Sequence, residues 1–459
     1  MYHLENDTIA ALATAAGMGA IAVLRLSGPN AFTIADRLFH SPSGKKLAEQ
    51  NPNTVHFGRL MEGDRMVDEV VATLFRAPHS YTGEDVVEIS CHGSVWIQRK
   101  VLNLLLLSGA RMAEPGEFTK RAFLNGKMDL SQAEAVGDLI ASENEASASV
   151  ALLQMRGGFA MELGRLRTAL IDFAALIELE LDFAEEDVAF ADRPALVRLL
   201  DETAGVLSRL SDSFAVGNVI KNGVPVAIVG APNAGKSTLL NALLNEERAI
   251  VSDIAGTTRD TIEDTMHLGG FTFRFIDTAG LRQTEDTIER IGIQRAMDKV
   301  AEASIVLYLF DSTSPDADTQ SRFEELKALC AGKPLWVLAN KCDHYNAERP
   351  DWADERFLSL SARSGRGLAE LKNALLSTIE TSAMANNQVV VTNARHFHSL
   401  TRASEAIARV REGVVCGLSG ELLALDIRES LRHIGAITGE IELDRDVLGS
   451  VFSNFCIGK

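Results

Sequence analysis

The stretch that decides the fold is residues 226–244, VAIVGAPNAGKSTLLNALL. An apolar run typical of a buried strand leads into a glycine-rich loop, Gly230–Ser237, and a helix-forming run follows directly. The loop glycines let backbone N–H groups turn toward phosphate oxygens, while Lys236 reaches the outer phosphates and Ser237 offers a hydroxyl to Mg²⁺. Because strand, loop and helix follow in the order that this motif requires, the sequence predicts a nucleoside triphosphate site.

Downstream segments predict which nucleotide is bound. Asp277–Gly280 (D-T-A-G) follows a strand-like run, which places an acidic residue near the metal and a glycine N–H near the terminal phosphate. Asn340–Asp343 (N-K-C-D) ends the next apolar run, and only guanine offers paired N–H donors to the Asp343 carboxylate. Ser361–Arg363 fits a loop that closes over the base. The predicted nucleotide is therefore GTP rather than ATP.

Length and composition exclude several classes of protein. A chain of 459 residues predicts two to four domains. Its net charge of −18 argues against a general basic surface that coats nucleic acid. Five cysteines without a C-x-x-C pair indicate neither a zinc site nor a disulfide framework, and favour a reducing cytoplasm. No charged-then-apolar leader opens the sequence, and no apolar run reaches membrane-spanning length, which predicts a protein without a membrane segment.

The organisation of the chain predicts a multidomain α/β protein. Residues 1–125 mix short β-rich runs, at Ala20–Leu26, Val67–Phe75 and Val86–Cys91, with a helix at Val95–Leu107, as in an α+β domain. Residues 126–216, interrupted only at Pro194, and residues 384–459 have helical spacing. The intervening residues 217–383 form a Ras-like P-loop GTPase block. The simplest account is an all-helical domain split by an inserted GTPase domain. An apolar stripe predicts packing along one long helix in the first helical part: Leu163, Leu166, Leu170, Phe173 and Ile177.

The catalytic apparatus lacks one familiar residue. Ras-like GTPases carry a glutamine after the D-x-x-G glycine to orient the attacking water, and this chain has Leu281 there. Another group must orient the water, and Glu285 and Glu289 lie in the following segment. In the preceding switch-like segment, Thr258 is the predicted magnesium ligand, and Arg259 either stabilises charge or holds the loop.

Motifs along the whole length resemble those of the MnmE (TrmE) family of bacterial tRNA-modification GTPases. The resemblance rests on Tyr81–Asp85 with His92-Gly93, Leu124–Lys127 with Asp129-Leu130, Pro232–Ser237, Ile254–Asp260, Asp277–Arg282 and the C-terminal Cys456–Lys459. It implies a potassium-dependent GTPase that is activated when two GTPase domains meet, with the cation in place of an arginine finger.

The resemblance also implies roles for individual residues of the GTPase block. Potassium would be surrounded by Asn233, Ser252, Ile254 and Thr257, magnesium would be bound by Ser237 and Thr258, and Glu289 would orient the water. The full set of expected GTP-binding residues is Asn233, Ala234, Gly235, Lys236, Ser237, Thr238, Ser252, Asp253, Ile254, Ala255, Gly256, Thr257, Thr258, Asp277, Thr278, Ala279, Gly280, Asn340, Lys341, Asp343, Ser361, Ala362 and Arg363.

For the N-terminal domain, the resemblance implies a dimerising, folate-binding fold that holds 5-formyl-tetrahydrofolate or a related folate. Arg25, Glu88, Lys127 and Lys459 match the positions of its ligands. Cationic side chains suit the glutamate tail, and a carboxylate suits the amino-pyrimidine donors of the pterin. Cys456 is either a nucleophile in the modification chemistry or a small buried thiol.

The implied function is a homodimeric GTPase that works with an MnmG (GidA)-type FAD protein in a heterotetramer. Together they would add an aminomethyl or carboxymethylaminomethyl group to C5 of the wobble uridine of certain tRNAs. Two alternatives stay open: a GTP-switched protein of ribosome assembly or stress regulation, and a free-standing one-carbon transferase with regulatory GTP hydrolysis.

Overall fold

The computed structural model describes residues 7–182, 192–245, 264–276, 300–314, 318–330, 332–344, 347–353, 356–383, 390–439, 452, 455–456 and 458. The chain divides into two compact units. The first contains Met1–Ile140, Leu152–Ala204 and Arg402–Lys459, and the second contains Ala141–Ala151 and Gly205–Thr401.

The described helices, in chain order, are α1 Ala31–Leu38, α2 Val95–Leu107, α3 Glu117–Leu124, α4 Leu130–Ile140, α5 Glu145–Met155, α6 Ala160–Asp182, α7 Arg193–Asp212, α8 Phe214–Asn222, α9 Lys236–Asn245, α10 Thr319–Cys330, α11 Leu368–Ala383, α12 Ala394–Val415 and α13 Gly420–Thr438. None of them is both long enough and apolar enough to span a bilayer.

The first unit contains a seven-stranded sheet in the spatial order β3-β4-β5-β6-β2-β1-β7. Its strands are β1 Ile9–Leu12, β2 Ile21–Ser27, β3 Phe39–His40, β4 Val55–Glu62, β5 Arg65–Phe75, β6 Val86–His92 and β7 Arg111–Met112. All neighbours are antiparallel except β1 and β7. Alternate residues of the central strands, such as Val70, Ala72 and Leu74, share one apolar core with helices α1 and α2.

Helical hairpins follow this sheet in the same unit. The predicted stripe on α6 is confirmed as core, because Leu163, Leu166, Leu170 and Ile177 are fully buried and Phe173 is half-buried. Helix α13 packs along α6, and it buries Ile427 and Ile434. The predicted interruption at Pro194 lies in the first turn of α7, where a missing N–H removes no helical hydrogen bond.

The second unit contains a six-stranded sheet in the order β13-β12-β11-β8-β10-β9. Its strands are β8 Val224–Gly230, β9 Asp264–Leu268, β10 Phe271–Phe275, β11 Ile305–Asp311, β12 Leu335–Asn340 and β13 Phe357–Ser359. Only β9 and β10 pair antiparallel. After β8, the chain forms β9 and β10 on one side of that strand and then β11 on its other side. The carboxyl end of β8 is therefore a topological switch point, where ligands bind in such sheets.

Both faces of this sheet are covered, as expected for a largely parallel sheet. Ile305, Leu307 and Leu309 belong to one core with helices α9 and α11, and Val306 and Tyr308 belong to a second core with helix α10. The predicted fold class, a multidomain α/β protein with an α+β N-terminal region, helical segments and a P-loop sheet, is confirmed.

Candidate nucleotide site and N-terminal polar site

The glycine-rich loop joins the end of β8 to the start of α9. Two of its glycines have no room for a side chain. A Cβ on Gly230 would lie 2.1 Å from the carbonyl oxygen of Leu309, and one on Gly235 would lie 2.2 Å from Nδ2 of Asn340. Gly235 also has a φ of +98°, in the region that favours glycine. Close backbone packing, together with phosphate access, therefore explains the glycines that the sequence shows.

Lys236 turns back over this loop at the N-terminus of α9. Its Nζ donates to the carbonyl oxygens of Gly230 and Ala231, both at 2.8 Å. A half-buried ammonium beside the first turn of a ten-residue helix gives the loop a positive end that suits an anion. Ser237 follows in the same first turn, so the residue types and positions fit a phosphate with Mg²⁺.

Asn340 connects the loop to the predicted base-binding segment. Its side chain is almost fully buried, Nδ2 donates to the carbonyl oxygen of Ala234 at 2.7 Å, and Oδ1 accepts from the N–H of Ala362 at 3.0 Å. Both ends of one amide are thus satisfied by two different loops. The structure therefore brings together Asn233–Thr238, Asn340–Asp343 and Ser361–Arg363, as the sequence predicts.

Asp343 lies at the exposed side of this junction. Its Oδ1 accepts a hydrogen bond from the buried hydroxyl of Ser361 at 2.7 Å, and the same hydroxyl accepts from the N–H of Ser364 at 3.2 Å. The Ser361 hydroxyl thus orients the carboxylate, and Asp343 is otherwise exposed to solvent. This arrangement suits a carboxylate that receives donors from a ligand.

Asp311 is a polar residue of this edge that the sequence reasoning missed. Its Oδ2 accepts from Nζ of Lys341 at 2.6 Å. Partial burial opposes its ionisation, but hydrogen bonds from Lys341 and Thr313 outweigh burial and lower the pKa of the Asp311 carboxyl. The sequence did carry a signal, because Asp311 ends an apolar strand just as Asn340 does.

The remaining predicted nucleotide residues lie outside the described part of the chain. They are Ser252, Asp253, Ile254, Ala255, Gly256, Thr257, Thr258, Asp277, Thr278, Ala279, Gly280 and Glu289. Of the four predicted potassium ligands, the described one is Asn233, an exposed residue with a φ of +62°. Within the described residues, no cluster of three or more His, Cys, Asp or Glu side chains is arranged to hold a metal ion.

A second polar site lies on the N-terminal sheet. Arg25 of β2 faces Glu88 of β6 in register, and its Nε and Nη2 both lie 2.8 Å from Oε1 of Glu88. The guanidinium carbon also lies 5.5 Å from the ring centre of Tyr81 and 5.6 Å from that of Phe118. A cation flanked by two rings and a carboxylate suits a planar, polar ligand. Neither ring was among the ligands predicted from the sequence, although Tyr81 belongs to the Tyr81–Asp85 motif.

Lys127 reaches the same loop as Tyr81. Its Nζ donates to the carbonyl oxygen of Pro78 at 3.0 Å, and its stem lies beside Gly83, where a Cβ would lie 3.4 Å from Cγ and Cδ of Lys127. Arg25 and Lys127 thus both lie against the Pro78–Gly83 loop, and Glu88 pairs with Arg25. Lys459 lies outside the described residues.

The described residues near the C-terminus pack against the same unit. A Cβ on Gly458 would lie 2.1 Å from the carbonyl oxygen of Leu12, at the end of β1. The N–H of Gly116 donates to the carbonyl oxygen of Cys456 at 3.4 Å. Cys456 itself is exposed, so the alternative that it is a buried thiol is wrong.

A charged cluster around the buried Arg121, here called the Arg121 cluster, joins helix α3 to the segment before β1 and to the loop before β6. Arg121 contacts Asp7 at 2.6 Å, Glu117 at 3.0 Å and Glu84 at 3.1 Å, and Arg111 contacts Asp7 and Glu117 at 2.6 Å each. Burial opposes ionisation of Asp7, but hydrogen bonds from Arg111 and Arg121 outweigh it and lower its pKa. The pKa of the Glu117 carboxyl is also lowered, because the bonds from Arg111, the Glu114 N–H and Arg121 outweigh burial.

Comparisons with known proteins identify the family of the chain. A family model described as "MnmE helical domain" matches residues 130–456, and one described as "GTP-binding protein TrmE N-terminus" matches residues 8–127. A protein of Christiangramia forsetii named "tRNA modification GTPase MnmE" is 54% identical, covering 99% of each chain. A protein of Flavobacterium johnsoniae with the same name is 53% identical, over 99% of this chain and 100% of its own.

A solved structure also matches part of the chain. The G domain of the T. maritima FeoB iron transporter is 23% identical over 34% of this chain and 98% of its own, with a TM-score of 0.25. A TM-score this low adds nothing to the assignment.

Proposed function

Because the chain belongs to the MnmE family of tRNA modification GTPases, we propose that it is a potassium-dependent GTPase that modifies the wobble uridine of certain tRNAs. With an MnmG-type FAD protein in a heterotetramer, it adds an aminomethyl or carboxymethylaminomethyl group to C5 of that base. GTP and water become GDP and phosphate in the accompanying hydrolysis. The protein acts as a cytoplasmic homodimer.

The observation that carries the GTPase part is the junction made by Asn340. One buried amide links the phosphate-binding loop at Ala234 to the base-binding loop at Ala362. Phosphate recognition and base recognition are thus fixed relative to each other before a ligand arrives, which lowers the ordering cost of binding. Asp343, oriented by Ser361, supplies the carboxylate that distinguishes guanine from adenine.

For hydrolysis, Ser237 and Thr258 would hold the magnesium ion. Asn233, Ser252, Ile254 and Thr257 would hold potassium, which would supply positive charge to offset the charge on the phosphoryl oxygens. Glu289 orients the attacking water that Leu281 cannot orient. These roles predict much faster turnover in potassium than in sodium with similar GTP affinity, loss of potassium stimulation in Asn233→Ala, and a lower kcat in Glu289→Ala. Equal turnover of the unmodified protein in the two salts would refute the potassium part.

In the N-terminal domain, Arg25, Glu88, Lys127 and Lys459 hold 5-formyl-tetrahydrofolate or a related folate. Support comes from the rings and opposite charges around Arg25 and from the packing of Gly458 against Leu12. We propose domain limits of 1–125 for this folate-binding and dimerisation domain, 126–216 and 384–459 for the split helical domain, and 217–383 for the GTPase domain.

The decisive experiment is nucleoside analysis of tRNA from a strain that lacks the gene. Loss of the modified wobble uridine, restored by the intact gene but not by Asp343→Asn, is the expected result. Lys45→Met, which changes an exposed lysine of the first unit, should restore it fully. Unchanged tRNA nucleosides in the deletion strain would favour the alternative of a GTP-switched binding protein.

A further inference from the structure

Lys341 is held in one place by Asp311. Its ammonium lies 2.6 Å from Oδ2 of Asp311, although the lysine side chain remains 40% exposed. Asp311 ends β11 and stands in register with Asn340, which ends the neighbouring parallel strand β12. Parallel pairing therefore brings Asp311 to the carboxyl edge of the sheet, next to the base-binding motif.

Asp311 is itself fixed by the turn that follows it. Its Oδ1 accepts from the N–H of Thr313 at 3.0 Å and from the Thr313 hydroxyl at 2.7 Å. Ser312 ties the same turn to the neighbouring strand, because its N–H and its hydroxyl both donate to the carbonyl oxygen of Asn340, at 3.0 and 2.7 Å. The carboxylate that holds Lys341 is thus oriented by its own turn, and the same hydrogen bonds lower its pKa and so favour its charged form.

The backbone of Lys341 is left-handed, with a φ of +68°. Residues other than glycine avoid this region, and such strain persists where surrounding contacts enforce it. In this conformation, the side chains of Asn340, Lys341 and Asp343 have three different partners. Asn340 bonds the phosphate loop, Lys341 bonds Asp311, and Asp343 accepts from Ser361.

We propose that Asp311 is a positioning residue for guanine recognition, which holds Lys341 so that its aliphatic stem forms one wall of the base pocket. Lysine has a flexible four-carbon stem, and a ligand that had to order it would bind more weakly. Asp311 orders the stem in advance, so its effect on affinity acts entirely through Lys341. This inference rests on the proposed role of Asp343 in reading guanine.

An ordinary surface ion pair would behave differently. Such a pair changes the stability of the folded protein slightly and leaves ligand affinity alone. The two explanations separate in a double-mutant cycle on the full-length protein, with Mg-GDP affinity measured by calorimetry for the unmodified protein, Asp311→Asn, Lys341→Met and the double variant. Both substitutions preserve side-chain size and remove one charge.

Asp311→Asn should weaken GDP binding by about three- to tenfold, as expected for coupled residues in one network. In the Lys341→Met background it should change affinity by less than about twofold, because the side chain through which it acts is gone. Thr313→Val, which removes one bond to Asp311 and keeps its charge, should weaken binding in the same direction and to a smaller extent. This variant also tests the inference should Asp311→Asn fail to fold.

The matched control is Asp318→Asn, which removes an exposed carboxylate 3.7 Å from Arg322 in the same unit and should leave GDP affinity unchanged. Additive losses from Asp311→Asn and Lys341→Met, or unchanged affinity in both Asp311→Asn and Thr313→Val, would overturn the inference. A comparison with inosine diphosphate, which lacks the 2-amino group of guanine, distinguishes failure of this inference from failure of the proposed function. Equal affinity of the unmodified protein for GDP and inosine diphosphate would remove Asp343 from the base pocket, whereas a GDP preference with additive losses would remove only Asp311.

Discussion

The Arg121 cluster and the carboxyl edge of the nucleotide sheet use similar residues in opposite ways. Arg121 has a side chain only 3% exposed and contacts three carboxylates. At the nucleotide edge, Lys341 is 40% exposed and Asp343 is open to solvent. The Arg121 cluster is a closed set of charges, which hold chain segments together. Lys341 and Asp343 belong to an open set of charges, which remain available to a ligand.

The physical reason for the difference is desolvation. A charge that is withdrawn from water must be compensated by opposite charges nearby. In the Arg121 cluster, three carboxylates compensate the buried guanidinium. At the nucleotide edge, the buried member is Asn340, a neutral amide with both ends bonded. The ionised groups there stay partly hydrated. A nucleotide that replaces this water therefore meets only a modest desolvation penalty.

The largest effect should come from breaking the closed set with Arg121→Met. Three carboxylates would lose a buried cation, which lowers the free energy of unfolding of this region by about 3–5 kcal/mol. Amide hydrogen exchange of residues 7–127 in increasing urea measures this loss. The control Arg59→Gln, which removes an exposed arginine 3.7 Å from Glu69 in the same sheet, should cost about 0–1 kcal/mol. Equal losses in the two variants would mean that burial does not distinguish the cluster.

The next effect should come from the open set, in Asp343→Asn. Hydrogen bonds to a charged group contribute about 1.5–3 kcal/mol each, so GDP affinity should fall by about a hundredfold. Xanthosine diphosphate, with a carbonyl in place of the amino group, should compete better than it does for the unmodified protein. The thermal unfolding midpoint should stay unchanged, because Asp343 is exposed. A competition titration that retains the original guanine preference would contradict this assignment.

A smaller effect should follow removal of Lys459. One charge-assisted contact to a folate tail contributes enough to change formyl-tetrahydrofolate affinity by about tenfold. Calorimetry on the chain that ends at Gly458 measures it, with Lys45→Met as a control that removes the charge of another lysine, exposed in the first unit. Unaltered folate binding would mean that the terminal motif serves packing or partner contact, as Gly458 does against Leu12.

Local pattern predicted much of this fold. The helix expected at Val95–Leu107 has those limits, and the strand expected at Val226–Val229 extends over Val224–Gly230. Both segments have apolar residues in runs or at a period that secondary structure imposes. Strand β4 was not predicted, because its apolar residues are interrupted by Gly58. That glycine is required by tertiary packing, since a Cβ there would lie 2.4 Å from the ring of Phe39.

The sequence predicted those site residues that belong to contiguous motifs, but not their partners from distant parts of the chain. The Asn340–Asp343 motif was identified, but its partner Asp311 lies thirty residues away and meets Lys341 only through parallel pairing of β11 and β12. Asp7 and Arg121 are 114 residues apart and meet through the fold of the first unit. Such pairs depend on strand register and chain topology, which single-sequence periodicity does not encode.

The smallest effect should come from acid below about pH 4, which sharpens the comparison without a substitution. Asp7 and Glu117 have pKa values lowered by their arginine partners against the opposing effect of burial. A carboxyl with a lower pKa in the folded state stabilises that state above its unfolded pKa, near 4, and loses this contribution as pH falls through its folded pKa. Hydrogen exchange should therefore show residues 7–127 losing stability below about pH 4. Arg121→Met should weaken this dependence in part, because Asp7 and Glu117 would keep only their bonds from Arg111 and the Glu114 N–H, whereas Arg59→Gln should leave it unchanged. A pH dependence that is the same in Arg121→Met and the unmodified protein would show that these carboxyls do not depend on Arg121 for their charge.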